Sequence, residues 1–493
     1  MYALETAFLV LMAAWLIVTN TKRATRGAYV KLFAVCAAAI ALAFAVGEAR
    51  VHMIPAALVF VVLSLLLLRR GHSHVAIRAV GFAAGSGLLA VSAIVALALP
   101  VVTLPAPDGP HAVGVASFTL VDKSRDESPF GAPGRPREIY VQAWYPGEMP
   151  HDGPMPRART LWQELYRPPY FDVLFGYLGG MTTHSYEDIP FSTASATYPT
   201  IVFSPSFSGI AEQNTLLMEH LASNGYIVLG ITHPYFGMFT TYADGTGVPV
   251  SALVMDAPMS QGSVGLAEIA ARADRADTSL ERAGIRLEYF ERGTRLTELM
   301  GIVVHDLAFL LDAVTHEGTA PTPAVAARID TSRIGLLGMS YGGGAITELC
   351  KTDARCRAAM NMDGGLWGSH IRQPLTVPYL ALASPNNAPF FEHGLLTSEA
   401  PYYEITVQNA RHSNFADVSV FAPLLRWLGV TGTIEGARVI DIMNAAATAF
   451  FDAHLRGAGA QMGDLQGFPE LDSKTNLQRL GSREPAVAGR PRF

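Results

Sequence analysis

The stretch "RIGLLGMSYGGGAI", residues 333 to 346, joins an apolar run to a serine held between glycines. A serine hydroxyl is a poor nucleophile until a base takes its proton. The pentapeptide Gly338-Met339-Ser340-Tyr341-Gly342 has the G-x-S-x-G spacing of a nucleophile elbow, a sharp strand-to-helix turn that exposes the serine at the edge of a sheet. Glycines at Gly338 and Gly342 let the chain turn and let the helix close on the strand. The apolar residues before the turn read as a strand and "GGAITEL" after it as a helix, which is the context the motif requires. The chemistry such a serine performs is attack on an acyl carbon with a covalent intermediate.

A base has to be a histidine beyond a later strand. His412, in "ARHSNFAD", is the only histidine between the strand-like "YYEITVQ" and the last long helix, whereas His370 and His393 fall earlier, in loops. The acid that orients the base is less obvious. The run "VPYLALAS" is followed by "PNNAPFFEH", with no aspartate and with Glu392 as its nearest carboxylate. The preceding strand ends "AAMNMDGGLWG", which puts Asp363 at a strand's carboxyl end. Asp363 is preferred to Glu392, and the chain order Ser340, Asp363, His412 matches the order of triads on α/β sheets. Two backbone N–H groups should face a developing oxyanion. Tyr341 supplies one as the residue after the nucleophile, and Phe207, in "PSFSG" after "TIVFS", is the candidate for the other. There is no HExxH and no paired CxxC, so neither a metal nor another cofactor is expected.

These residues need a scaffold that brings strand ends together. From about residue 112 short apolar strands alternate with helices: "TIVFS", "YIVLGITH", "RIGLLG", "RAAMNMD", "VPYLALAS" and "YYEITVQ" are strands, and "EQNTLLMEHLASNG", "GGGAITELC" and "GARVIDIMNAAATAFFDAHLRG" are helices. Such alternation predicts a mostly parallel sheet wrapped by helices. Ligand chemistry then lies beyond the carboxyl ends of the strands. "VGVASFTLVD" and "EIYVQAWYP" read as a hairpin-like pair at the start of this domain.

The chain has 493 residues, of which 50% are hydrophobic and 16% charged, too apolar a balance for an ordinary water-soluble enzyme of this length. The excess lies in the first hundred residues, where four stretches (about 3–20, 32–48, 53–68 and 79–102) read as membrane-spanning helices. Lys22, Arg23, Arg26 and Lys31 between the first two, and Arg69, Arg70 and Arg78 between the last two, would stay in the cytoplasm. A catalytic domain after residue 105 would then face the extracytoplasmic side of a bacterial inner membrane. The expected organisation is a spanning region over 1–104, a hydrolase domain over 105–456 with helical cap insertions near 155–195 and 255–300, and a tail over 457–493. The aromatic stretch Leu161 to Met181 reads as a core-packed cap or as an acyl or lipid-docking surface. Cys350 and Cys356 in "LCKTDARC" are either two buried thiols or a local disulfide, which an oxidising side of the membrane would favour. A formal net charge of −6 with no long basic run gives no footprint for nucleic acid.

The stretches "IYVQAWYP", "YPTIVFSPSFSG", "LASNGYIVLGITHP", "IGLLGMSYGGG", "AAMNMDGG" and "HSNFADVSVF" together resemble the plasma-type platelet-activating factor acetylhydrolases, a branch of the α/β-hydrolases that includes the lipoprotein-associated phospholipase A2 group. The resemblance runs from about residue 112 into the 450s. It implies an α/β-hydrolase fold, hydrolysis of esters with short or modified acyl chains without calcium, an acid at Asp363 and a base at His412. The family's oxyanion loop carries an HGLG-like run where this chain has Pro205-Ser206-Phe207-Ser208. "GMSYGGG" also looks like the elbow of cutinase-type polyester hydrolases, which the place of Asp363 argues against. The expectation is thus a membrane-anchored serine ester hydrolase with ester or lipid substrates. Its rivals are an acyltransferase using the same acyl-enzyme, a catalytically silent scaffold, and a transporter or receptor run by the spans.

Overall fold

The computed structural model describes residues 3–20, 26–45, 53–54, 57–58, 60–61, 75–98, 103–150, 152, 155–161, 178, 181–261, 265–316, 323–457, 465 and 467–481. The chain divides into two compact units. The first comprises Met1–Thr103, Arg167–Met181 and Phe421–Leu424, and the second Leu104–Tyr166, Thr182–Val420 and Leu425–Phe493.

The first unit contains helices α1 (Ala3–Asn20), α2 (Arg26–Ala45) and α3 (Val75–Ala98). Here the structure corrects the sequence reading. Among the described residues no helix is long and apolar enough to cross a membrane. The expected four-span bundle, its contact with a bilayer and the multi-pass inner-membrane placement with an extracytoplasmic domain therefore do not hold. Phe8, Met12, Trp15 and Leu16 of α1 are buried at helical spacing against Cys36, Met53, Ala57 and Phe60. A helix that buries a stripe on its neighbours has the same apolar count as one that faces lipid, so composition alone could not separate the two. The third expected span, 53–68, lies largely outside the described residues, as does most of the stretch 161–181.

Among the described residues, the second unit is built on one mixed sheet of eleven strands. Its members are β1 (Ala112–Glu127), β2 (Ala132–Gly147), β3 (Ala158–Thr160), β4 (Thr182–Glu187), β5 (Tyr198–Ser204), β6 (Ile227–Thr232), β9 (Ile329–Met339), β10 (Ala358–Met362), β11 (Tyr379–Ala383), β12 (Tyr402–Val407) and β13 (Leu471–Thr475). Two short strands, β7 (Phe239–Thr241) and β8 (Gly247–Pro249), pair apart from it. The spatial order is β13-β12-β11-β10-β9-β5-β6-β2-β1-β4-β3. Strands β6, β5, β9, β10, β11 and β12 run parallel. Every residue of β5, β6, β10 and β11 is buried, as near-continuous apolar runs covered on both faces must be. β1 and β2 form the expected antiparallel pair, longer than their apolar cores because the register continues through charged residues such as Asp122 opposite Arg137. β13, in the region read as tail, pairs antiparallel with β12. Its pattern is polar because it is an edge strand, half-buried or exposed along its length.

The helices of this unit include α4 (Thr215–Ser223), α5 (Ala252–Gln261), α6 (Leu266–Ala273), α7 (Ser279–Glu291), α8 (Thr294–Thr315), α9 (Tyr341–Leu349), α10 (Ala388–Thr397) and α11 (Gly436–Phe451). Thr278 caps α7, accepting the N–H of Glu281. The core joins Val202, Leu229, Ile231 and Leu336 of the sheet to Leu307, Leu310 and Leu311 of α8 and to Tyr341, Ala345 and Ile346 of α9.

Candidate active site

Three strand ends converge. β9 ends at Met339, and Ser340 follows in a left-handed conformation with φ 56° and ψ −120° before α9 begins. A serine there is strained and persists only where its surroundings fix it. The amide of Ser340 donates to Met362 O at 2.9 Å, and its carbonyl accepts from Gly344 N at 3.2 Å. The glycines around it are a steric requirement. A Cβ on Gly342 would lie 2.2 Å from Ser204 O and 2.3 Å from Pro205 O, and one on Gly338 would lie 2.4 Å from Gly342 O.

β10 ends at Met362, and Asp363 follows, also left-handed with φ 55°. Asp363 is wholly buried. One carboxylate oxygen, Oδ1, accepts the backbone N–H of Ser384 at 2.6 Å. The other, Oδ2, accepts the side-chain amide of Asn387 at 2.9 Å and faces His412 Nδ1 at 2.7 Å. Asn361 steadies the turn by accepting the N–H of Gly364 at 2.7 Å.

His412 opens the turn after β12. Its Nε2 lies 2.7 Å from Ser340 Oγ, and its side chain is 47% exposed. With Nδ1–H donating to Asp363, Nε2 is left to accept the Ser340 hydroxyl. The structure thus brings Ser340, His412 and Asp363 into one relay. Glu392, the other carboxylate considered, lies elsewhere and pairs with Arg286 at 2.6 Å and Arg282 at 3.3 Å. His370 pairs with Glu348.

The loop after β5 lies beside the elbow, because β5 and β9 are neighbours with Ser204 opposite Gly338. The ring of Phe207 meets the ring of Tyr341 edge-on, 5.6 Å between centroids. The backbone N–H groups of Phe207 and Tyr341 make no hydrogen bond among the described residues, whereas Ser206 N, Ser208 N and Gly209 N are all engaged. Tyr341 is anchored inward, its hydroxyl donating to Leu296 O at 2.6 Å, and burial pushes that hydroxyl well above the usual phenol range.

Two residues that the sequence reading passed over tie the parts together. Gln213 accepts both Ser206 N at 2.9 Å and Ser206 Oγ at 2.7 Å, and its carbonyl accepts Asp417 N at 3.3 Å. Asn214 donates to Phe415 O at 2.8 Å. The first turn before α4 therefore holds the Phe207 loop with one hand and the His412 turn with the other. Asn387 was passed over as well. It sits in the loop searched for an acid, and the cue was its place just beyond the carboxyl end of β11.

Cys350, at the end of α9, is joined to Cys356 by a disulfide. Among the described residues no group of three or more His, Cys, Asp or Glu side chains could hold a metal ion.

Residues 322–464 match the family described as platelet-activating factor acetylhydrolase, isoform II, a span that includes Ser340, Asp363 and His412. A platelet-activating factor acetylhydrolase of Cavia porcellus is 21% identical over 373 residues, 72% of this chain and 78% of that one. A probable 1-alkyl-2-acetylglycerophosphocholine esterase of Arthroderma benhamiae is 28% identical over 168 residues, 28% of this chain and 43% of that one. Among solved structures, a ferulic acid esterase from Streptomyces cinnamoneus superposes with a TM-score of 0.58 and 25% identity, covering 76% of this chain and 99% of its own. With these relatives the chain is an ester hydrolase, of the esterase type found on the α/β-hydrolase fold.

Proposed function

We propose that the chain hydrolyses carboxylic esters of small acyl groups through an acyl-enzyme on Ser340. The observation that carries this reading is the unbroken relay Ser340 Oγ to His412 Nε2 at 2.7 Å and His412 Nδ1 to Asp363 Oδ2 at 2.7 Å. Ser340 Oγ attacks the ester carbonyl as its proton passes to His412 Nε2. The negative oxygen of the tetrahedral intermediate lies against the N–H groups of Phe207 and Tyr341. The C–O bond breaks and His412 returns the proton to the departing alcohol. Water then attacks the acyl-enzyme, His412 takes its proton, and collapse releases the acid and restores the Ser340 hydroxyl. Asp363 holds the ring and offsets the charge of the imidazolium at both steps.

The acyl preference follows from the relatives, one of which is named an acetylhydrolase and another an esterase of an acetylated glycerophosphocholine. The test is a series of p-nitrophenyl esters from acetyl to decanoyl, with methyl ferulate and an acetylated glycerophosphocholine, on wild type and Ser340→Ala. Acetyl and butyryl esters should turn over fastest, and fluorophosphonate labelling should vanish with Ser340. A wild type that takes no fluorophosphonate, or a Ser340→Ala protein that keeps more than a few per cent of the rate, would overturn the mechanism.

A further inference from the structure

A second Ser–His–Asp relay lies inside the molecule. Ser204 Oγ is 3.1 Å from His233 Nε2, and His233 Nδ1 is 2.9 Å from Asp306 Oδ2. All three side chains are sealed, with at most 3% exposure, so no substrate reaches them. Asp306 is further gripped by Arg137, through Nε at 2.6 Å and Nη2 at 2.7 Å, and by Arg125 at 2.9 Å. Burial pushes the His233 imidazole down, against the pull of Asp306. The neutral ring donates from Nδ1 and accepts the Ser204 hydroxyl at Nε2.

Ser204 ends β5, and its carbonyl, with that of Pro205, fills the space where a Cβ on Gly342 would go. The Phe207 loop starts one residue later. The other side of that loop is tied to the same histidine. The His233 carbonyl accepts Phe236 N at 3.1 Å and Gly237 N at 2.9 Å. Phe236 O in turn accepts Ser208 N at 3.0 Å, and Ser208 O accepts Met238 N at 3.1 Å. The His233 side chain thus holds Ser204, three residues before Phe207, and its main chain holds Phe236, whose carbonyl takes the N–H of Ser208 just after Phe207.

From this enclosure we infer that His233 is a positioning residue for the oxyanion donor, fixing the Phe207 amide against the elbow through Ser204 on one side and Phe236 on the other. The inference rests on the assignment of Phe207 as an oxyanion donor. A shift of the loop would leave the ester bound as before and the oxyanion poorly held. The loss therefore falls on kcat and on mimics of the tetrahedral intermediate, and spares KM.

Three variants separate this role from a merely structural one. Ser204→Ala removes the hydroxyl and keeps the His233–Asp306 bond. His233→Asn keeps a donor near the position of Nδ1 and loses the Ser204 contact. His233→Gln places an amide near the position of Nε2 and keeps that contact. Each is assayed for kcat and KM on p-nitrophenyl acetate, and for inhibition by a trifluoromethyl ketone, which forms a tetrahedral adduct with the serine. Deleting an oxyanion donor costs about 10² or more in kcat, so displacing one should cost about tenfold. Ser204→Ala and His233→Asn should lose about tenfold in kcat and in ketone affinity with KM unchanged, and His233→Gln should recover most of both.

The idea fails if folded Ser204→Ala and His233→Asn keep wild-type kcat and ketone affinity, or if His233→Gln is no better than His233→Asn. Failure of the underlying mechanism has a different signature, since Ser340→Ala would then keep its activity and the wild type would not bind the ketone.

Discussion

Asn387 donates its side-chain amide to Asp363 Oδ2 at 2.9 Å, the same oxygen that faces His412 Nδ1. The carboxylate that faces the His412 ring is therefore itself held by a residue from the next strand's loop. Replacing Asn387 with Ala should cost about 2 kcal/mol, the scale of a hydrogen bond to a charged group, and lower kcat about tenfold because Asp363 gains freedom. Urea unfolding and steady-state kinetics check the two halves of this prediction. An Asn387→Ala protein with wild-type kcat would show that the Ser384 N–H alone positions Asp363.

Gln213 links two loops, so its loss should be felt at both. In Gln213→Leu the Ser206 amide and hydroxyl lose their acceptor while the Asp417 amide keeps the backbone carbonyl. The expected result is a fall in the rate of fluorophosphonate labelling of about tenfold or more, since an ångström of misplacement suffices for such losses. Thermal unfolding measured beside it should move only slightly. An unchanged labelling rate would mean that the Phe207 loop holds its shape without Gln213.

Asp306 lies at the centre of a buried ion network. Burial alone would raise its carboxyl, but Arg137 outweighs that and, with His233, holds it well below the usual carboxylate range. A group depressed in the folded state contributes stability above its unfolded value of about 4 and loses it as pH falls toward the folded value. Asp306→Asn leaves Arg137 with less compensation and should cost about 3 kcal/mol or more at neutral pH. The deficit should shrink as pH drops below about 4. Urea midpoints at pH 7, 5 and 3 would reveal this convergence, and parallel curves would refute it.

Glu219 behaves in the opposite sense. Burial pushes its carboxyl up to about 7, against hydrogen bonds from Ser185 and His184, and Asp417 is likewise raised well above its ordinary range by burial. A carboxyl raised in the folded state binds more protons folded than unfolded, so stability falls as pH rises from about 4.3 toward the folded value. Glu219→Gln should flatten that fall and stabilise the protein at pH 8 relative to wild type. Differential scanning calorimetry across pH 5 to 8 is the measurement. A wild type whose midpoint rises over that interval, or a variant with the same slope, would count against it.

The sequence made Ser340, Asp363 and His412 legible for one reason: Ser340 and Asp363 stand directly after apolar strands and His412 in the loop that follows one, where side chains of an α/β sheet meet. Asn387, Gln213 and Asn214 stood in equally well-placed loops. Their task depends on which partner lies opposite, and an amide side chain announces no chemistry of its own. His233 and Asp306 are 73 positions apart, and nothing local marks them as partners. The polar strand β13 was missed because an edge strand need not alternate. The N-terminal helices were misread because an apolar count records what a surface is made of and omits what lies against it. Burial of Phe8, Met12, Trp15 and Leu16 on one another's neighbours is a fact of packing.

The glycines of the elbow carry a consequence for how such a chain can vary over time. The place of a Cβ on Gly342 is taken by Ser204 O, that on Gly338 by Gly342 O, and that on Gly364 by Ser340 O. Each obstruction is main chain, which no neighbouring substitution can trim away. Trimming a neighbouring side chain therefore does not relieve the clash, and the main chain itself would have to shift. Variation in what the serine meets is accordingly easier to write in the loops around this corner than in the corner itself.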